Sequence, residues 1–385
     1  MKRGAVKRRS AVFVWALCVL PVLAQESVTD LKSAIDHLGH LDYPIRMSAA
    51  RTVRRIPAAQ AVPALTAAAL KHPDEYVRFR ALVLLTGFND SHTGETMRSL
   101  LRDRNDRVRE VVYGWFERHP DPAMASTLIS ALGTEQAEFV RPALVSALSA
   151  LGGDPQVRMT LIREVGRGLD IFRSAVIEAL GAHRADYAFD AVSAVVRIDG
   201  PLQDDAAIAL GRIGDRRALA VLAEIAKPSP DVALAIRAAR CLLGEACPEH
   251  IAALSDAVRS KESRDEVVRA AAAGLSAIAR AGHDPAIVAL VTAGAGKNDR
   301  IREEAALALS AVALGTPSRM LSWLGQASDS ERASAIELLH DGFDMLQEDL
   351  AEEGFYAAAR AEYWKAADGS GMRTVAATLI QKLEF

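Results

Sequence analysis

The chain has 385 residues, half of them hydrophobic and a quarter charged, with a formal net charge of −3. A nucleic-acid binder would show a basic excess or stripe, so this balance excludes that class and no nucleic-acid partner is expected. The acid is concentrated near the C-terminus, around Glu348, Asp349, Glu352 and Glu353.

The N-terminus opens on Lys2, Arg3, Lys7, Arg8 and Arg9, followed by an apolar run from Ala11 to Ala24. A positive start, an apolar run and small residues at Val22 and Ala24 read as a secretory signal peptide over residues 1–24. The run is shorter than the about 20 residues needed to span a bilayer. The expectation is an exported chain, periplasmic or extracellular, with no stable membrane insertion after cleavage.

From there a single pattern repeats. Apolar residues open successive units at Ile45, Val77, Val108, Val140, Phe172, Leu202, Ala235, Val268 and Ile301, with Glu331 as a degenerate tenth. Counting from the opening residue, offsets +4, +5, +7 and +8 are nearly always apolar, as in Leu144, Val145, Ala147 and Leu148. Those offsets share one face of a 3.6-residue helix. Thr52, Arg240 and Ser276 break the rule. Three residues before the opening stand Asp42, Asp74, Asn105, Asp199, Asp265, Asn298 or Ser328, whose side chains suit the N-cap of that helix. A second amphipathic segment precedes each, for example Ala61 to Leu70 or Ala123 to Leu132, with Gly and Pro at the joints. One such unit cannot bury its own apolar face, so the period predicts an all-α solenoid of about ten helix-turn-helix units over residues 25–340. Residues 341–385 read as an acidic helical cap.

The segments DEVVR (265–269), NDRIREEAALAL (298–309) and LQDDAAIALGRIG (202–214) resemble the HEAT-repeat signature in its short bacterial, bilin-lyase-like form. The resemblance covers roughly residues 28 to 340. It implies a superhelix with the second helix of each pair on the concave side. It also implies a structural role for the arginines at offset +1: Arg46, Arg78, Arg109, Arg141, Arg173, Arg269, Arg302 and Arg332. In the family such an arginine bonds the capping Asp or carbonyls of an adjacent repeat. Most members are scaffolds and some are enzymes.

Signs of catalysis are sparse. No His is followed directly by Glu, so the His-Glu dyads of HEAT-type hydroxylases are missing. No two His lie four apart on one helix, and no P-loop, dinucleotide fingerprint or Gly-x-Ser-x-Gly occurs. His37 and His40 read as exposed residues of the first helix. No catalytic residue, cofactor or metal ligand is therefore assigned. Offsets +3, +6 and +10 should face the groove. Early in the chain they hold Ser48, Arg51, Arg55, Arg80, Val83 and Arg118. In the middle they are small (Ala143, Ser146, Ala175, Ala238, Ala271, Gly274), and late they are acidic (Glu304, Glu337, Asp341). Arg51, Arg55, Arg80 and Arg118 are the candidate partner-binding residues, expected on open surface. Tyr113, Trp115 and Phe116 sit at or near core offsets. Cys241 and Cys247, the cysteines that follow the signal segment, form either a disulfide across one joint or two free thiols. The expected function is a non-catalytic protein-protein interaction scaffold of the cell envelope or secreted space. The alternative is an enzyme on the same frame, bilin-lyase-like or HEAT-hydroxylase-like.

Overall fold

The computed structural model describes residues 30–346 and 349–383, and all regular structure among them is helical. The expected signal segment, residues 1–24, lies outside the described residues. The chain divides into two compact units, Met1–Leu85 and Thr86–Phe385.

The first unit holds helix α1 (30–37), α2 (Tyr43–Arg55), α3 (Ala58–Lys71) and most of α4 (Glu75–Gly87). Leu38 just after α1, Val53 of α2, Leu65 of α3 and Leu82 of α4 are all fully buried. Burying one such leucine contributes about 1.5–3 kcal/mol. The joints are fixed by side chains. Asp74 accepts from the Tyr76 and Val77 N–H groups at 2.8 and 3.3 Å, capping α4. The His72 ring meets Asp36 at 3.2 Å, tying the α3–α4 turn back to α1.

In the second unit the helices alternate in pairs. They are α5 (Thr93–Leu100) with α6 (Asp106–Arg118), α7 (Ala125–Thr134) with α8 (Arg141–Ser149), and α9 (Pro155–Glu164) with α10 (Asp170–Ala182). Then come α11 (Phe189–Val196) with α12 (Gln203–Ile213), α13 (Ala218–Ala223) with α14 (Pro230–Leu242), and α15 (Cys247–Arg259) with α16 (Asp265–Arg280). Last are α17 (Asp284–Gly294) with α18 (Asp299–Gly315), α19 (Pro317–Gln326) with α20 (Asp329–Leu346), and α21 (Asp349–Lys365) with α22 (Gly371–Lys382). The second helix of each pair packs directly on the second helix of the next, from α6 through α20, while the first helices splay apart. The row of second helices is therefore the inside of the curve. This is an α-solenoid, as the period requires. No described helix is long and apolar enough to cross a membrane.

Close packing along the inner row needs small residues at the crossings. A methyl placed on Gly181 of α10 would sit 2.9 Å from the Ala209 Cα of α12. One on Gly211 of α12 would sit 2.6 Å from the Ala239 Cα of α14. Real Cβ atoms do not approach backbone so closely, so these helices touch because glycine stands there.

Capping follows the expected residues in part. Asn105 and Asn298 accept from the N–H groups of Arg107 and Ile301 at 3.0 and 3.2 Å. Ser328 and Glu331 form a reciprocal capping box, with bonds of 3.3 and 3.1 Å. Asp199 does not cap, because the turn through Gly200 and Pro201 delays α12 to Gln203. Asp265 does not cap either: α16 is entered through Arg264, so Asp265 lies in the first turn, where its charge suits the helix dipole. Asp121, Asp154, Ser229 and Ser370 cap the helices that follow them, which the repeat pattern had not marked.

α20 runs unbroken from Asp329 to Leu346. Phe343 stacks edge-on against Phe355 of α21 at 5.4 Å, and Phe355, Ala359, Val375 and Leu379 join the same buried cluster as the last repeats. The terminal helices thus close the core with their own apolar stripe.

Candidate binding groove and the arginine ladder

Most offset +1 arginines turn back on their own repeat. Arg46 donates to the His40 and Leu41 carbonyls at 2.9 and 2.8 Å, and Arg78 reaches the His72 carbonyl at 3.5 Å. Arg109 donates to the Asp103 carbonyl at 2.8 Å, Arg173 to Val165 at 2.9 Å, and Arg332 to Leu324 and Ala327 at 2.9 and 2.7 Å. Arg302 reaches Gly294 at 3.4 Å. These carbonyls belong to the last turn of the preceding first helix or the turn after it. Each guanidinium therefore satisfies C=O groups that a helix end leaves without partners. The contact is within one repeat, not with the adjacent one. Two arginines extend it onward as well. Arg109 holds Glu135 bidentately, both bonds 2.8 Å, and Arg302 holds Asp341 at 2.7 and 2.9 Å. Hydrogen bonding from Arg109 keeps the Glu135 carboxyl below its ordinary value, and burial pushes the neighbouring Tyr113 hydroxyl up to about 12. Arg141 lies over the Phe172 ring at 3.7 Å, a cation–π contact.

Arg269 stands apart. It is 68% exposed and, among the described residues, bonds only Glu304, at 3.2 Å. The reason is register. α16 starts at Asp265 after Arg264, so its buried pairs are Ala271–Ala272 and Gly274–Leu275, one residue earlier than an opening at Val268 implies. Val268, fully buried, takes the place that arginine holds elsewhere. Ala238, Ala271 and Gly274, expected on the groove, are instead buried between helices.

The candidate partner-binding arginines divide between the units. Arg51 is half-buried and Arg55 exposed on α2, while Arg80 of α4 is buried, 7% exposed, and so is not open surface. Arg118 ends α6 in the second unit, where its Nε donates to the Gly114 carbonyl at 3.3 Å and desolvation lowers its pKa. Among the aromatics beside it, Tyr113 and Phe116 are buried, and Trp115 stacks on His119 at 4.3 Å.

The inner row forms its own cavity further along, about 370 Å³, walled by α10, α12, α16, α18 and the end of α20. Ile208, Leu307 and Leu346 supply apolar walls; Glu178, Asp205, Arg212, Arg269, Arg280 and Glu304 supply charge. Asp205, Ile208, Arg212, Glu304, Leu307 and Ala311 stand at offsets +3, +6 and +10, so on α12 and α18 the groove spacing leads to this cavity. The polar groups are unequally satisfied. Ser174 donates to Asp205 at 2.5 Å, yet burial still raises the Asp205 carboxyl. Arg212 reaches Glu178 only at 3.7 Å, and desolvation lowers its guanidinium. Arg280 is brought down to about 10, first by burial and then by the like charge of Arg212. It stays protonated at neutral pH. Among the described residues the buried Arg280 Nε and Ser276 Oγ have no hydrogen-bond partner. Ser276 is 3% exposed, and it is the residue that broke the apolar rule of its helix. Arg280 and Ser276 stand at offsets +12 and +8 from Val268, outside the groove offsets, so the spacing carried no sign of them.

Cys241 and Cys247 are joined by a disulfide, their Cα atoms 4.3 Å apart, across the sharp turn between α14 and α15. The backbone reverses there through left-handed Gly244 at φ 86°.

Residues 31–114 match the family model for HEAT repeats. No curated protein matches the sequence. Among solved structures the chain is similar to Kap121p bound to Nup53p, with 11% identity and a TM-score of 0.32, covering 98% of this chain and 46% of that one. It is similar to a chain of the Kap95p–RanGDP complex at 13% identity and TM-score 0.41, covering 93% and 55%. It is also similar to human deoxyhypusine hydroxylase at 15% identity and TM-score 0.25, covering 76% and 99%. The chain spans about half the length of the Kap121p and Kap95p-complex chains that it matches. The helix pairing defines the class, an α-solenoid, within which residues 31–114 match HEAT repeats.

Proposed function

We propose that this chain is an exported, non-catalytic protein-interaction scaffold of the cell envelope or the space outside it. In this reading the inner helices of the second unit take a partner segment that presents a carboxylate beside an apolar side chain. One observation carries it. A cavity with apolar walls holds a guanidinium Nε and a serine hydroxyl, both buried and both lacking an acceptor. A buried donor left unmade costs about 1–3 kcal/mol, so an acceptor that the Arg280 side chain swings out to meet recovers that cost on binding. An ionised acceptor does so best, and the neighbouring Arg212 adds attraction. The basic start and apolar run before Gln25 support export. Arg51 and Arg55 on α2 are a separate candidate contact surface on the first unit.

Site-specific photo-crosslinking tests the reading. A crosslinker at Ala273, in the cavity, should capture a defined protein from cells exporting the chain. One at Ala220, on the outer helix α13, should not. Arg280→Glu should abolish the Ala273 adduct. Equal capture from both positions, or capture indifferent to Arg280→Glu, removes the cavity as the binding surface.

A further inference from the structure

At the edge of the solenoid formed by α14, α15 and α17, three ligand-type side chains converge. Cys241 comes from the last turn of α14, Cys247 from the first residue of α15, and His283 from the N-cap of α17. Their sulfur and imidazole nitrogen atoms lie within 4.8 Å of one another. Cys241 is buried, and Cys247 and His283 are half-buried, so the group is held by the fold yet open to solvent on one side. Sequence spacing conceals this. His283 lies 36 residues from Cys247, and only the stacking of one repeat on the next brings them together.

We propose that this cluster is a redox-gated zinc site: the disulfide form is closed to metal, and the reduced form binds one Zn²⁺ through both thiolates and the His283 imidazole. Four features support it. Cys247 occupies the first turn of α15, where the helix dipole favours a thiolate. Among the described residues the His283 ring has no hydrogen-bond or ion-pair partner, which leaves its nitrogens free to ligate. The nearby carboxylates are already committed, Asp284 to Arg319 at 2.5 Å and Glu245 to Arg240 at 2.7 Å, so the fourth position falls to water. Finally, two thiolates and a neutral imidazole cancel the charge of a divalent ion. A monovalent soft ion would leave a partly buried net charge, which is costly. Zinc–sulfur bonds of about 2.3 Å and a zinc–nitrogen bond of about 2.0 Å put tetrahedral ligand atoms roughly 3.6–3.8 Å apart, so His283 needs to close by about 1 Å.

The chemistry balances with a dithiol as reductant. The dithiol gives two electrons and two protons to the Cys241–Cys247 bond and leaves as its own disulfide. Zinc then displaces the two thiol protons, so metal uptake releases acid.

The test uses the full chain and zinc alone. The protein is reduced with a dithiol, desalted without air, and titrated with Zn²⁺ against a chromogenic chelator in weakly buffered solution. One zinc per chain with release of about two protons is expected from the reduced form. The oxidised form should bind at least about a hundredfold more weakly. Reduced His283→Ala should lose more than the 10–100-fold that an outer hydrogen-bond partner contributes. Cys247→Ser gives a second loss, and circular dichroism shows whether either variant stays folded. If a variant unfolds, His283→Asn takes its place. Equal zinc uptake by oxidised and reduced protein, or by reduced parent and a folded His283 variant, overturns the proposal. So does a reduced parent that takes up no zinc. The cavity of α10 to α18 shares none of these residues, so the scaffold reading and this one stand or fall separately.

Discussion

Two regions of the second unit hold arginine beside carboxylate and differ in what surrounds the charge. On the α6–α7 edge, Arg109 grips Glu135 with two 2.8 Å bonds and a turn carbonyl with a third. In the cavity of α12 and α16, Arg212 meets Glu178 only at 3.7 Å, and Arg280 keeps a buried Nε without an acceptor. Both places desolvate guanidinium groups. The first compensates within the chain and so adds to stability. The second leaves the compensation undone: among the described residues the Arg280 Nε meets no acceptor.

The comparison breaks most readily at Glu135, whose side chain is only 4% exposed. Glu135→Ala should cost about 3 kcal/mol, since it strips a mostly buried Arg109 of its partner. Urea unfolding combined with hydrogen exchange on α6 and α7 measures it. The pH dependence has a definite sign. Arg109 lowers the folded pKa of Glu135 below its ordinary 4.5. The stabilisation is thus complete above the unfolded value and fades as pH falls through the folded one. Protection of α6 should therefore drop in acid in the parent, with that step missing from Glu135→Gln.

Arg302→Ala should have a smaller effect, about 1 kcal/mol, because Asp341 and its partner are each a third or more exposed and screened by solvent. Thermal melts compare it with the parent. Arg280→Leu sharpens the contrast from the other side. Stability should hold or rise by up to about 1 kcal/mol, as an unpaired buried donor is removed. Cross-linking from the cavity should vanish. A large loss of stability would mean that Arg280 belongs with the structural arginines. Least of all, Arg269→Ala should shift stability by less than about 0.5 kcal/mol, since its guanidinium sits 68% exposed. A fall of the size expected for Glu135→Ala would return Arg269 to the ladder.

Much of the fold was legible because periodicity is physical. An apolar face recurring at +4, +5, +7 and +8 has to be buried by a neighbour, and Leu144, Val145, Ala147 and Leu148 are indeed fully buried. Of the residues that the groove offsets picked out, Glu304 lines the cavity, and the same spacing on α12 and α18 falls on Asp205, Arg212 and Leu307 beside it. The offsets failed on α16, because the motif Asp265-x-x-Val-Arg matches Asp74-x-x-Val-Arg of α4 letter for letter while the helix is entered one residue earlier. A pattern of residue types cannot report that the helix begins right after Arg264, and one residue of slip turns a helix by about 100°. Arg80 was misplaced for a related reason: its offset faces inward, but α4 is buried on nearly every side, from Val77 to Leu85. The convergence of His283 on the two cysteines depends on how repeats stack, and a linear string carries no trace of it.

The glycines at the inner crossings carry a final implication for how this groove is tuned. Gly181 and Gly211 leave less clearance than one methyl group between α10, α12 and α14. α12 and α16 form opposite walls of the cavity, and α14 is the spacer between them. Gly211→Ala would act as a shim, prising α12 from α14 and resetting the bore of the cavity with every wall residue unchanged. The width of the cavity is set from behind its wall, by residues that do not line it.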